Sequence, residues 1–130
     1  RVEVAAMRRA VEITVEALAV ALLFASKAGA DPGKVRQALM GGAANSLILE
    51  NHGQRMLDRD FTQSFRVALQ QKDLGLAVEA AKSLGMVLPN TTNTWQLYNS
   101  CLANGDADAD HIAILKVLES LANYPLSTEE

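Results

Sequence analysis

The residue of this sequence that is best placed to do chemistry is a lysine in the middle of a predicted helix. At about 100° per residue, Lys72 falls on the same helical stripe as Phe65, Leu69, Leu76 and Ala80. A lysine among apolar side chains either extends its ammonium to water along a packed stem or faces an anionic partner. The stripe therefore leaves two interpretations open, a snorkelling lysine and a lysine that faces a pocket for an anionic ligand.

A second group with possible chemistry is a set of alternating aspartates near the end of the chain. Asp106, Asp108 and Asp110 resemble the start of a calcium-binding loop. Such a loop needs a glycine at its sixth position and a glutamate at its twelfth, and these positions hold His111 and Val117. We therefore expect a solvated loop, in which Asp108 or Asp110 caps the following helix.

The sequence predicts no metal centre. Its two histidines, His52 and His111, do not form an H-E-x-x-H pair, and Cys101, the single cysteine, cannot complete a zinc site. We expect Cys101 to be a small buried apolar residue. A single cysteine also excludes an internal disulfide, which fits a reducing compartment, and we expect a cytoplasmic protein.

Composition argues against several classes of partner. A chain of 130 residues has the size of one domain, and its 49% of hydrophobic residues can form a core. The net charge is −3 and no basic stripe stands out, so we expect no nucleic-acid partner. The longest apolar run, residues 17–25, is too short to span a bilayer, so we expect no membrane partner.

The periodicity of apolar residues predicts an all-helical fold in a single domain, residues 1–130. We find no convincing period-two strand, and the abundant alanine and leucine favour helix. The first helix is apolar on most faces and about 40 Å long, which predicts a central, buried position. The expected helices cover residues 3–28, 32–40, 47–58, 65–84, 94–103 and 110–122.

Local signals set the predicted helix boundaries. Gly29 and Gly85 occupy stop positions, and Asp31 and Ser46 are N-caps. Residues 41–46 form a junction of small residues between two helices. A C-cap followed by an N-cap would account for these small residues, and so would a path by which substrate passes them.

One glycine lies inside a predicted helix. Gly75 interrupts the helix that carries Lys72, and a mid-helix glycine costs about 1 kcal/mol relative to alanine. Close packing against a neighbour, or the close approach of a ligand, would account for it.

A series of short segments, in order along the chain, identifies a family resemblance. The most specific is K-D-L-G-L-A at residues 72–77, and the others lie at residues 25–32, 38–42, 56–61, 65–66, 88–89 and 110–111. Together they resemble the C-terminal helical domain of the β-hydroxyacid dehydrogenases, a family that includes 3-hydroxyisobutyrate dehydrogenases and 2-hydroxy-3-oxopropionate reductases. The reductase branch is the more similar.

The resemblance implies a fold and a set of roles. The fold is an all-α bundle of the 6-phosphogluconate dehydrogenase C-terminal type, which closes a substrate cleft against an N-terminal Rossmann domain and builds the dimer interface. The lysine matching Lys72 lies beside the nicotinamide cofactor. Asp73 would orient that lysine or its helix, and Phe65 would line the cleft.

The sequence departs from the family at the catalytic position. The family lysine that performs general acid–base catalysis falls on Val4, which cannot carry a proton, and residues 1–26 contain no lysine. The substrate-binding asparagine falls on Met7 or Arg8. With Arg1 and Arg9, Arg8 is either a solvated basic end or the edge of an anion site in the cleft.

These departures shape the functional expectation. The glycine-rich loop of a Rossmann domain is absent from the sequence, so we expect NAD or NADP to bind only if such a domain is supplied. We expect a free-standing or truncated cleft and dimerisation domain, a homodimer that uses the first helix, inactive alone. The alternative is a non-catalytic helical binding module for a small acid or a protein partner, and enzyme status stays open.

Overall fold

A computed structural model describes the backbone of residues 2–126 and the side chains of residues 13–126. Within these residues the chain is helical and no β-strand forms, which confirms the all-α prediction. No helix among them is long and apolar enough to cross a membrane. The elements are α1 (Val2–Lys27), α2 (Pro32–Met40), α3 (Leu47–Leu57), α4 (Val67–Ser83), α5 (Pro89–Ala103), a 3₁₀ turn (His111–Ala113) and α6 (Ile114–Ala122).

The long helix α1 is central, as predicted, but it is not buried on all sides. It packs against each of the other five helices, with Val15, Leu18 and Leu22 in the core. Although the apolar faces of this helix predicted a buried position, Val20 and Phe24 are 44% and 75% exposed. Because no described element covers this side of α1, two large apolar residues lie at the surface.

Most helix boundaries lie where the turn chemistry of the sequence predicted them. Gly29 and Gly85 adopt positive φ angles of 87° and 66°, and their lack of a Cβ makes this conformation accessible. The Asp31 carboxylate accepts hydrogen bonds from the N–H groups of Gly33 and Lys34. The Ser46 hydroxyl accepts one from the N–H of Leu49.

Three helix starts were predicted wrongly. The last helix was expected from residue 110, but a 3₁₀ turn occupies His111–Ala113 and α6 begins at Ile114. Helix α5 begins at Pro89 and not at residue 94, because a proline in the first turn loses no hydrogen bond and has the φ angle of a helix. Helix α4 begins at Val67 and not at Phe65, because the backbone of Phe65 is bonded to other partners, described below.

The antiparallel pair of α4 and α5 explains the glycine inside α4. Gly75 faces Trp95, and a Cβ on Gly75 would lie 3.1 Å from the indole Nε1. Further along the pair, the Gln71 amide donates to Asn99 over 2.7 Å. Of the two explanations that the sequence left open, close packing accounts for this glycine.

Candidate functional site

The stripe that carries Lys72 faces outward from the bundle. The opposite side of α4 is buried, and its core residues are Val67, Gln70, Leu74, Ala77 and Ala81. Leu69 and Leu76 are 37% and 55% exposed, and Lys72 between them is exposed as well. The stripe is therefore a surface of this chain, and Lys72 has direct access to solvent.

The Lys72 ammonium is available for an external anion. Two other cations of the bundle are engaged, since Arg59 pairs with Glu119 and Lys116 with Asp106. By contrast, Lys82 at the end of the same helix is exposed like Lys72. Among the residues whose side chains are described, none forms a hydrogen bond or ion pair with the Lys72 ammonium. A cation on an apolar surface that a second domain could cover is suited to binding a phosphate or a carboxylate.

The other predicted cleft residues divide into two groups. Phe65 comes two residues before α4 and is partly buried, and its ring centroid lies 6.0 Å from that of His111. Asp73 is partly buried beside Lys72 on the same helix. Val4 and Arg8 belong to the part of α1 whose side chains lie outside the described residues, so their predicted roles stay predictions.

The solvent exposure of Asp110, a carboxylate just outside this surface, was predicted wrongly. Asp110 was expected in a solvated loop, but its side chain is 0% exposed. Its Oδ2 accepts hydrogen bonds from the backbone N–H of Ser64 (2.8 Å), the Ser64 hydroxyl (2.6 Å) and the N–H of Phe65 (3.1 Å). Its Oδ1 accepts from the N–H of Ile112 (3.2 Å) and from Arg55 (3.4 Å).

These hydrogen bonds hold the carboxylate in its charged form. Burial by itself raises the pKa of Asp110, but donation from the Ser64 hydroxyl and from the N–H groups of Phe65, Ser64 and Ile112 outweighs burial, so that the pKa lies below its ordinary value. The Asp110 carboxylate is therefore ionised at neutral pH. It is a structural acceptor and cannot serve as a proton donor.

Two histidines lie beside this carboxylate. The rings of His52 and His111 meet edge to face with centroids 4.8 Å apart. Burial lowers the pKa of His111 to about 4; the carboxylate of Asp110 opposes this shift, and the charges of His52 and Arg55 add to it. The pKa of His52 is lowered as well, chiefly by burial. Both imidazoles are therefore neutral at pH 7, although His111 Nε2 lies 3.9 Å from Asp110.

The same loop satisfies the first backbone donors of α4. The residue before the helix, Arg66, makes no side-chain cap. Instead, the N–H of Val67 donates to the carbonyl of Ala109 (3.0 Å) and that of Ala68 to the carbonyl of Ala107 (3.1 Å). The sequence placed Asp110 at a helix start, which is correct for the 3₁₀ turn. It gave no sign that residues 107–110 also cap a helix some forty positions earlier.

A separate apolar cavity of about 190 Å³ lies between α1, α2 and α3. The small-residue junction at residues 41–46 borders it through Ala44 and Ser46, and none of its lining residues belongs to α4. Ser46 also caps α3, so the capping explanation of this junction holds. The cavity is lined by Thr14, Ala17, Leu18, Ala21, Leu39, Ala44, Ser46 and Leu49.

The described residues offer no reactive thiol and no metal site. Burial raises the pKa of the Cys101 thiol to about 12, so it stays protonated, as expected for a small core residue. Among residues 13–126, no three histidine, cysteine, aspartate or glutamate side chains lie close enough together to hold a metal ion.

Known proteins are similar to this chain in sequence and in architecture. Residues 6–118 match a family described as NAD-binding of NADP-dependent 3-hydroxyisobutyrate dehydrogenase. The 2-hydroxy-3-oxopropionate reductase of Escherichia coli K12 is 55% identical over 117 residues, which are 90% of this chain and 40% of the relative. A probable mitochondrial 3-hydroxyisobutyrate dehydrogenase-like protein of Arabidopsis thaliana is 37% identical over 84% of this chain and 33% of the relative.

A solved structure gives the same result at the level of the fold. The 3-hydroxyisobutyrate dehydrogenase of Salmonella typhimurium superposes with a TM-score of 0.81 at 27% identity, covering 87% of this chain and 40% of that one. The chain thus spans about 40% or less of the length of these proteins.

Proposed function

The chain belongs to the β-hydroxyacid dehydrogenase family, and from this premise we propose that it forms the helical wall of a two-domain substrate cleft. The wall is the outward side of α4 with Lys72 at its centre and Phe65 beside its first turn. Asp73 helps to orient the lysine. The second wall is a Rossmann domain that holds NAD or NADP, on the same polypeptide or on a separate one.

The observation that carries the proposal is the exposed ammonium of Lys72, which has no partner among the described side chains and lies between two exposed leucines. Contiguous exposed apolar surface is typical of a site that another surface covers. A docked second domain would cover the leucines and lower the local dielectric constant around the ammonium. The attraction between Lys72 and an anionic cofactor or acid substrate would then be several times stronger than in water.

We further propose that this chain transfers no hydride by itself. General acid–base catalysis needs a group that can carry a proton, and Val4 at the family's lysine position has none. Asp110 and His111 supply no substitute, because Asp110 is buried and ionised and His111 is buried and neutral.

Reconstitution tests the cleft proposal. The chain is mixed with a separately produced Rossmann domain from the E. coli relative, and NADH binding is followed by fluorescence. We expect Lys72→Ala to weaken NADH binding about tenfold, since a charge-assisted contact is lost. Lys82→Ala, which removes an exposed lysine in the last turn of the same helix, is the matched control and should bind as the unchanged chain does. Equal affinities for the two variants would refute the role of Lys72.

The alternative function is a non-catalytic binding module for a small acid or a protein partner. It is favoured by the fact that Lys72 is already accessible in this chain without a second domain. Thermal unfolding of the chain alone with malonate separates the two proposals. A rise in Tm that disappears in Lys72→Ala would support the binding module, whereas no rise would leave the two-domain cleft as the better proposal.

We also propose that the chain forms a homodimer through the uncovered side of α1, where Val20 and Phe24 are exposed. A cytoplasmic location and the lack of nucleic-acid and membrane partners follow from the composition alone and remain predictions.

A further inference from the structure

The start of α4 is fixed from outside the helix, by the loop that contains Asp110. We propose that Asp110 is a positioning residue for the cleft wall: by binding the backbone of residues 64–65, its buried carboxylate sets where α4 begins and hence where Phe65 and Lys72 stand. This inference rests on the proposed function, because it names the group that holds the same wall in place.

The buried carboxylate of Asp110 accepts several hydrogen bonds from the segment at residues 64–65. One oxygen of Asp110 takes both backbone N–H groups of Ser64 and Phe65 together with the Ser64 hydroxyl, within 3.1 Å. A buried carboxylate is tolerated only when it is hydrogen-bonded on all sides. The chain at residues 64–65 therefore cannot shift without leaving charge unsatisfied in the interior.

The residues on either side of Asp110 also form hydrogen bonds with the segment at the start of α4. The N–H of His111 donates to the carbonyl of Phe65 over 2.8 Å, so the backbone of Phe65 is held on both its N–H and its C=O side. The carbonyl of Ala109 then accepts the first N–H of α4, from Val67. A helix without a side-chain cap thus obtains its start from a loop distant in sequence.

The helix α4 connects this segment to the proposed cleft surface. Lys72 lies five residues after Val67, about 7.5 Å along a rigid helix. If the chain were shifted by one residue relative to the loop at residues 107–110 and kept its hydrogen bonds to that loop, α4 would have to turn by about 100°, which would carry Lys72 away from its present direction. The Phe65 ring is in addition packed against the His111 ring.

Arg55 ties the cluster to a second helix. From α3 it reaches Asp110 Oδ1 (3.4 Å) and the Ser64 hydroxyl (3.4 Å), and it donates to the carbonyl of Thr62. The charge of Asp110 is thereby balanced on the side away from Phe65. The carboxylate joins α3, the loop at residues 60–66 and the start of α4 into one unit.

The test compares two isosteric changes in the same loop. Asp110→Asn removes the buried charge, and Asp108→Asn removes a charge that is 85% exposed and pairs only with Arg66 at the surface. The chain is labelled with 4-fluorophenylalanine, which gives a fluorine signal for each of its three phenylalanines. The exposed Phe24 serves as internal reference, and amide hydrogen exchange is measured on the same samples.

We expect Asp110→Asn to shift or broaden the Phe65 fluorine signal and to speed amide exchange at residues 64–69 by about tenfold, with α2 and the Phe24 signal unchanged. Asp108→Asn should alter neither. An Asp110→Asn variant that matches Asp108→Asn would overturn the inference. So would faster exchange spread evenly over all helices, because that is the pattern of a general loss of stability.

A milder variant covers the case in which Asp110→Asn does not fold. Ser64→Ala removes only the hydroxyl that lies 2.6 Å from the carboxylate. It should move the Phe65 signal in the same direction by a smaller amount. An unmoved signal in a folded Ser64→Ala chain would count against the inference.

The reconstituted complex separates this inference from the proposed function. If the complex binds NADH in a Lys72-dependent manner, Asp110→Asn should weaken binding several-fold and Asp108→Asn should not, and equal affinities would refute the positioning role. If the unchanged chain shows no Lys72-dependent binding, the cleft proposal fails. The fluorine and exchange data then decide on their own whether Asp110 positions α4.

Discussion

Two adjacent side chains, Asp110 and His111, are both buried in the same cluster, but one is charged and the other is neutral. Asp110 is stabilised in its charged form by five donors, whereas His111 is stabilised in its neutral form by burial. Protonating His111 would place a cation in a buried position, and this cost, to which the charges of His52 and Arg55 add, outweighs the favourable contact with Asp110. The pair is therefore stable as an anion beside a neutral ring.

This arrangement makes stability depend on pH in a defined window. In the unfolded chain the His111 pKa returns to 6.5, while in the folded chain it is about 4. Between these values the unfolded chain binds a proton that the folded chain does not, so the free energy of unfolding falls as the pH is lowered through the window. The loss from His111 is at most about 3 kcal/mol. The depressed pKa of Asp110 adds a further loss only at still lower pH.

We predict that His111→Leu flattens this dependence. Leucine has a similar volume, so stability at pH 7 should change by less than about 1.5 kcal/mol. The slope of the free energy of unfolding between pH 6.5 and pH 4 should decrease, as measured by urea unfolding at a series of pH values. Parallel profiles for the variant and the unchanged chain would show that His111 titrates normally in the folded state.

At the scale of the helices, sequence patterns predicted a helix end correctly where the residues that fix that end are its neighbours in the sequence. Asp31, Ser46 and the positive-φ glycines act on their own helix ends, and these ends were predicted correctly. The start of α4 was not, because its cap comes from residues 107–110, and contacts between distant segments leave no periodic signal. For the same reason, periodicity identified the stripe that carries Lys72 but could not tell whether this stripe faces the core.

The packing of α4 on α5 is the feature of the elements that is most sensitive to size. A Cβ at Gly75 would already lie 3.1 Å from the indole of Trp95, so a larger side chain has no room unless the Trp95 side chain or the two helices move. We predict that Gly75→Leu lowers the free energy of unfolding by about 2 kcal/mol or more, despite the better helix propensity of leucine. Urea unfolding measures the loss through the shift of the midpoint.

The matched control for this change lies on the same helix. Ala80 is exposed, so Ala80→Leu adds the same side chain without meeting α5. It should change the free energy of unfolding by no more than about 0.5 kcal/mol. If Gly75→Leu were as mild as Ala80→Leu, the close approach of Trp95 would not be a packing constraint.

At the scale of the whole molecule, exposed apolar residues form separate surfaces on α4 and on α1, and we propose a different partner for each. Leu69 and Leu76 flank Lys72 on α4, where we propose a second domain. Val20 and Phe24 lie on α1, on the same side as Ala17 and Ala21 of the apolar cavity. The side of α1 thus combines a protruding aromatic ring with a shallow apolar recess one to two turns away, which suits a second copy related by a twofold axis.

We predict that Phe24→Asp abolishes the homodimer. Phe24 is 75% exposed, so its replacement leaves the folded monomer intact, whereas a carboxylate buried at a dimer interface lacks a partner and costs several kcal/mol. Leu84→Asp is the matched control, because Leu84 is 76% exposed at the turn between α4 and α5. Light scattering over a concentration series should give a dimer for the unchanged chain and for Leu84→Asp, and a monomer for Phe24→Asp. A dimer that survives Phe24→Asp but not Leu84→Asp would place the interface at the other end of the bundle, and a monomeric unchanged chain would end the dimer proposal while leaving the Lys72 surface to be tested by itself.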